Sequence, residues 1–436
     1  ILPGHFPPVF GPDGDAPLDA EDVRDWFMRM PWRPGVSPVR WHPDYERYLI
    51  DQWRAGDFGP DWRLPGLFAA GYYDRFAGVA QIHMSSWYDP YTLTAQDNYF
   101  GLKAAGARRL GLVLGPWTHG DRSLAHAGDV DFGAEATLDG QLAPDFLAYR
   151  ADFFDAVFGR SPAPAETAPV KIFVMGGGSG RRLESGRLDH GGRWRAFADW
   201  PPPEAVFTPY YFGSDGALSA HPPGTAGRID YRFDPLCPTP TVGGAISSLE
   251  PVAPGGAFDQ VEGPSVFGAA PPFLPLSSRP DVLAFETPPL DHDVVIAGPI
   301  RARLWVASDG PDTDFTVKLI DVHPPSSDYP RGFAMNLTDG ILRMRYRNGM
   351  ERAEAMAAGA VYAVEIEAFP TANRFLKGHR IRVDISSSNF PKFDVNPNVF
   401  DALGASRQAR VAVNTLFFGG DRASHIVLPI LPASSE

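Results

Sequence analysis

Residues 79–91 read Val-Ala-Gln-Ile-His-Met-Ser-Ser-Trp-Tyr-Asp-Pro-Tyr, and residues 110–120 read Leu-Gly-Leu-Val-Leu-Gly-Pro-Trp-Thr-His-Gly. Each is a short apolar run that stops at turn-forming residues, as a buried strand ending in a loop does. Each also delivers one titratable side chain at its carboxyl end, Asp89 in the first and His119 in the second. Between them Thr92 to Gly106 predicts a helix closed by a glycine. Two buried strands that present an acid and a base at their carboxyl ends are what an open α/β sheet uses to build a site above its edge.

An acid and a base in this order fit nucleophilic catalysis. A serine hydroxyl is a weak acid, so a histidine must take its proton during attack and return it to the leaving group. A carboxylate accepts the other imidazole N–H, which fixes the tautomer and stabilises the imidazolium. Asp89 is assigned the carboxylate's part and His119 the base. Pro116 and Gly115 are expected to set the turn carrying His119, and Trp87, Tyr88 and Trp117 to exclude water or line the substrate pocket. In the α/β-hydrolase arrangement the triad runs Ser, Asp or Glu, His along the chain, with the serine on a Gly-x-Ser-x-Gly elbow. Asp89 and His119 follow that order 30 residues apart. No Gly-x-Ser-x-Gly occurs in the 436 residues. The nearest strings, Gly177-Gly178-Ser179-Gly180-Arg181 and Gly263-Pro264-Ser265-Val266-Phe267-Gly268, both follow His119 and read as loops.

Further motifs lie around and beyond this pair. They are Ser86-Trp87-Tyr88-Asp89, Gly115-Pro116-Trp117-Thr118-His119-Gly120, Val170-Lys171-Ile172-Phe173-Val174-Met175-Gly176 and the run from Asp234-Pro235 to Gly243-Gly244. Ser278 to Leu283, Thr338-Asp339-Gly340-Ile341-Leu342-Arg343, Gly378-His379-Arg380-Ile381-Arg382 and Ser386 to Pro391 continue the series. In this order the motifs resemble the cocaine esterase and X-prolyl dipeptidyl-peptidase group of serine hydrolases, which also holds glutaryl acylases and α-amino acid ester hydrolases. The resemblance covers nearly the whole chain. It implies a partial α/β-hydrolase domain with a helical cap remnant, followed by a carboxyl-terminal jelly-roll β-sandwich. It also implies a serine and an oxyanion-hole tyrosine in a segment expected to precede residue 1. One departure is Ser86, where the family usually has glycine.

The expected domains are a helical cap region over 1–76, the carboxyl-terminal half of the α/β-hydrolase domain over 77–160, and the jelly roll over 161–436. In the first, Ala20–Met28 and Tyr45–Trp53 carry aromatic and charged residues at helical spacing, with Asp19 as the N-cap of the earlier run. The same spacing suits surface helices on any α/β core. Phe146 to Phe158 predicts a helix whose Phe153, Phe154 and Phe158 mark an apolar face against the sheet. From Ser161-Pro162-Ala163-Pro164 onward, short alternating runs such as Arg301–Val306 and Arg380–Ile385 are separated by Gly and Pro turns. Gly and Pro number 45 each, about a fifth of the chain. That texture reads as an antiparallel sandwich.

Hydrophobic residues at 44% and charged residues at 21% are globular values, and the length suits two or three domains. A net charge of −13 disfavours nucleic acid and anionic membrane as partners. A small-molecule ester, amide or short-peptide substrate is expected, and a homo-oligomer is compatible. The single Cys237 excludes an internal disulfide. No apolar run approaches the roughly 20 residues of a membrane span, so a soluble cytoplasmic or periplasmic protein is expected. His83, His126, His190, His292 and His323 lie near acidic residues, but none shows metal-ligand spacing, so neither metal nor cofactor is expected. Gly176–Gly180 lacks the lysine of a phosphate loop. The competing function is non-enzymatic: a fragment or pseudoenzyme that binds a ligand or partner through its jelly roll.

Overall fold

The computed structural model describes residues 23–160, 169–247 and 249–432. Asp19 and the Ser161–Pro164 segment lie outside them. In the amino-terminal region α1 (Val23–Met28), α2 (Pro43–Arg54) and α3 (Tyr73–Phe76) are joined by turns and short 3-10 segments. Helix α2 starts at a proline, which has no N–H to lose at that position. The buried carboxylate of Glu46 accepts from the backbone N–H of Gly35 and the hydroxyl of Ser37, which ties the preceding loop to the helix.

Strand β1 (Gln81–Tyr88), α4 (Thr92–Ala104) and β2 (Leu110–Thr118) follow as expected, with Gly106 at φ +89° closing the helix. Two-residue strands β3 (His126–Ala127) and β4 (Val130–Asp131) precede α5 (Phe146–Val157). Asp145 caps α5 by accepting from Ala148 N–H. The apolar face expected on α5 is only partly covered: Phe153 is half-buried, whereas Phe154 and Phe158 are 52% and 66% exposed. Lys171 lies over the Tyr149 ring of the same helix.

Then come β5 (Val170–Met175), β6 (Leu188–Asp189), β7 (Gly192–Phe197), β8 (Val206–Phe212), β9 (Leu218–Ser219) and β10 (Gly227–Phe233). The remainder is β11 (Leu283–Glu286), β12 (Val294–Ser308), β13 (Asp314–His323), β14 (Phe333–Arg343), β15 (Tyr362–Phe375), β16 (Arg380–Ser386), β17 (Ala412–Phe418) and β18 (His425–Ile430). β1, β2 and β5 pair in parallel, and β5 meets β15 in parallel at Met175 and Asn373. From β15 onward the sheet is antiparallel, so one 11-stranded sheet runs across position 160. A second antiparallel sheet has the order β11-β16-β13-β14, and β3, β4 and β6 form a third. One hydrophobic cluster reaches from Trp87 to Leu431.

Strand β12 keeps the alternation expected of a half-covered strand, with Arg301 and Arg303 exposed and Ala302 and Leu304 buried. Strand β16 does not, because it is central in its sheet and buried along nearly its whole length. Its polar residues are held by a two-pronged ion pair, Arg382 Nε and Nη2 to the two oxygens of Asp384 at 2.7 and 2.6 Å. Arg345 pairs with Asp312 at 2.6 Å and Arg343 with Asp314 at 3.0 Å. Gly340 on β14 lies so close to β15 that a Cβ would stand 2.6 Å from Glu367 O. Only glycine admits that approach.

Lys318 on β13 is half-buried and donates to Gln260 Oε1 at 2.7 Å. Burial pushes its ammonium down from 10.5 to about 8, against the pull of Asp339 and Asp384. Below pH 8 both folded and unfolded chains carry the proton, and the folded state bears the cost of the buried charge. Between the two values only the unfolded chain keeps it, so this group's contribution to stability rises with pH. Wild-type protein is therefore expected to gain about 3 kcal/mol over Lys318→Met between pH 8 and 10.5. Urea denaturation across that range checks it, and parallel pH profiles for the two proteins would refute it.

Candidate active site

Parallel pairing of β1 and β2 sets Ser86 opposite Gly115 and Tyr88 opposite Thr118, with a register shift between. The two carboxyl ends therefore leave the sheet side by side. Thr92, at the start of α4, closes the first turn: its hydroxyl donates to Ser86 O and Asp89 O, and its N–H to Asp89 O. Beyond β2, the Thr118 hydroxyl donates to the Asp121 carboxylate, and Gly120 at φ +89° lets the chain reverse.

These turns bring Asp89 and His119 together, with Asp89 Oδ2 3.1 Å from His119 Nδ1. The other carboxylate oxygen accepts from Tyr91 N–H at 2.9 Å, so the carboxylate is held at both ends. Asp89 is 5% exposed, whereas the His119 side chain is 51% exposed. With Nδ1–H donated to Asp89, Nε2 carries the lone pair and is the basic edge of the ring. The Tyr91 ring meets the imidazole edge-on at 5.1 Å. The loop from Gly243 to Gly256 is closed by reciprocal backbone bonds between Gly244 and Gly256, and it brings Gly255 against Thr118. Gly255 thus flanks the end of the strand that leads to His119.

Trp87, Tyr88 and Trp117 are core residues, 1%, 0% and 2% exposed. Their polar atoms are all engaged: Trp87 Nε1 donates to Phe173 O, Tyr88 OH to Asn336 O and Trp117 Nε1 to Ala136 O. They rivet the strand ends to their neighbours and offer a ligand almost no surface. Sequence reasoning passed over Tyr91, whose place two residues after Asp89 was the available signal.

Gly176–Gly180 is not an anion cradle. Gly178 N–H donates to His190 O, Ser179 N–H to the Asp189 carboxylate and Gly180 N–H to Asp189 O. Ser179 Oγ also donates to Asp189, at 2.6 Å. Cys237 is exposed, beside Arg279. The structure does gather His190, Asp321 and His323, a group with metal-ligand proximity among the described residues. Their separation along the chain hid it from spacing arguments, although Asp321 and His323 alternate on one strand face. No described helix is long and apolar enough to cross a membrane.

The profile of the X-Pro dipeptidyl-peptidase C-terminal non-catalytic domain matches residues 163–427. Cocaine esterase of Rhodococcus sp. (strain MB1 Bresler) is 35% identical over 415 residues, or 92% of this chain. The chain spans 62% of that relative's length. Among solved structures, an aminopeptidase from a marine sediment Thaumarchaeota archaeon has a TM-score of 0.72 at 22% identity, covering 94% of this chain and 64% of its own. An α-amino acid ester hydrolase has a TM-score of 0.71 at 24% identity, covering 89% and 61%. The fold is therefore one shared by hydrolases. The chain belongs to the cocaine esterase and X-prolyl dipeptidyl-peptidase family.

The strand that carries His119 gives a test of the local packing. A Cβ on Gly115 would stand 2.6 Å from the Trp117 ring, which its bond to Ala136 O holds in place. Gly115→Ala is expected to cost about 1–3 kcal/mol in urea denaturation, as an overpacked core site does. A change within about 0.3 kcal/mol would show that Trp117 is free to move aside.

Proposed function

We propose that this chain supplies the acid and base of a serine hydrolase that cleaves ester or amide acyl bonds, with the serine outside these 436 residues. The observation that carries the reading is the 3.1 Å contact between Asp89 Oδ2 and His119 Nδ1, which leaves Nε2 on a half-exposed ring as the free base. His119 Nε2 takes the serine proton as Oγ bonds to the acyl carbon, then gives it to the departing alcohol or amine. Water repeats the sequence on the acyl-enzyme, and Asp89 stabilises the imidazolium at each step. The chain's match to only part of its relative's length fits a machine completed from elsewhere.

In this reading residues 1–76 are a cap remnant, 77–160 the carboxyl-terminal half of an α/β-hydrolase domain, and 161–436 a jelly roll. Parallel order in β1 and β2 supports the second, and the antiparallel part of the 11-stranded sheet together with the four-stranded antiparallel sheet supports the third. The substrate class is a small-molecule ester or amide, or a short peptide. Tyr91, edge-on to His119, takes the pocket-lining place at the base.

The test is kinetic and uses the full-length protein. His119→Ala and Asp89→Asn are each expected to lower kcat by about 10³-fold or more on an activated ester, with the far-ultraviolet spectrum unchanged. Wild-type turnover in both variants would overturn the assignment and leave the binding-module role.

A further inference from the structure

Asp321 and His323 project from one face of β13, and His190 meets them from the turn between β6 and β7. All three are buried. His190 Nδ1 and His323 Nε2 are 3.2 Å apart, and one ligand atom from each of the three residues lies within 4.8 Å of the others. His190 Nε2 lies 2.9 Å from Asn373 Oδ1, and Asn373 Nδ2 donates to Asp321 Oδ2 at 2.9 Å. The asparagine thus presents its oxygen to His190, so Nε2 carries the hydrogen and Nδ1 is a lone pair facing His323. The second Asp321 oxygen is 2.8 Å from His379 Nδ1.

We propose that His190 Nδ1, His323 Nε2 and an Asp321 carboxylate oxygen bind one divalent cation of the zinc class. Tetrahedral bonds of about 2.0–2.2 Å to nitrogen and oxygen place neighbouring donors about 3.3–3.5 Å apart, close to the separation of the two imidazole nitrogens. Two nitrogens and one carboxylate suit zinc, cobalt or nickel rather than magnesium or calcium. The surrounding bonds have the form of a second coordination layer: the ligating imidazole donates its other N–H to an amide oxygen, and the ligating carboxylate is held by a histidine and an asparagine.

Charge balance points the same way. Among the described residues no Lys or Arg forms an ion pair with Asp321, which is 0% exposed. A divalent ion would add positive charge beside a buried carboxylate whose ion-pair partner is a histidine, His379. It would also brace the candidate active site from below, since Phe132 meets His190 edge-on at 6.1 Å and stacks on Tyr88, the neighbour of Asp89, at 6.2 Å. The inference does not depend on the triad.

Full-length protein is stripped with chelator, exchanged into metal-free buffer and titrated with Zn²⁺ by calorimetry and with Co²⁺ by visible absorption. The expected result is one equivalent per chain, a tetrahedral Co²⁺ ligand-field band and a raised thermal midpoint. His323→Gln and His190→Gln keep a polar group at each place and are each expected to weaken binding at least about 100-fold. No uptake by wild type, or equal uptake by a folded variant, would overturn the site; equal uptake would place the metal on surface histidines. Should neither variant fold, wild-type stoichiometry and the Co²⁺ band decide alone.

Discussion

Parallel pairing of Gln81–Tyr88 with Leu110–Thr118 is the constraint on which the candidate site depends. Parallel strands end in the same direction, so a residue just past each end is carried to its neighbour with no further device. The remaining work is small and local. Thr92 closes one turn, Gly120 opens the other, and Tyr91 N–H holds the free carboxylate oxygen. An antiparallel pairing would have put Asp89 and His119 at opposite ends of a strand pair, and the 3.1 Å contact could not exist.

The antiparallel region is held by a different means. Its core strands carry Arg, Asp, Asn and Lys at positions that hydrophobic patterning would reserve for aliphatics. Many of them are paired across the structure: Asp339 accepts from Lys392 and Asn389, Arg343 from β14 meets Asp314 on β13, and Asn396 bridges Asp312 and Asp314. Paired and hydrogen-bonded charges can stay inside, whereas removing one partner leaves the other unmatched at a cost of several kcal/mol. This gives physical content to Thr338–Arg343 and Ser386–Pro391. These stretches hold polar crossings between strands and the close approach at Gly340, which is structural work.

Much of this was legible in the sequence where the cause is local. Apolar runs ending at Asp89 and His119 gave the strands, and the glycine at 106 gave the end of the helix between them. Packing decided the rest. Trp87, Tyr88 and Trp117 stand beside the candidate acid and base in sequence, yet a strand's alternation and the depth of its end turned them into the core. The Phe154 and Phe158 stripe was legible as apolar but not as uncovered, because cover belongs to another element. The parallel strand Val170–Met175 reads like its neighbours in composition, and only pairing shows that it joins them to β15. His190 lies 131 residues from Asp321 and 133 from His323, beyond the reach of any spacing rule.

The central claim is that Asp89 and His119 serve a serine that these 436 residues do not contain. The most direct measurement is labelling of the full-length protein with a fluorophosphonate, followed by peptide mapping, in wild type and in His119→Ala. The account predicts a single labelled serine outside the residues described by this sequence, with labelling lost when His119 is removed. A label on a serine within the 436 residues, or one that survives loss of His119, would contradict it.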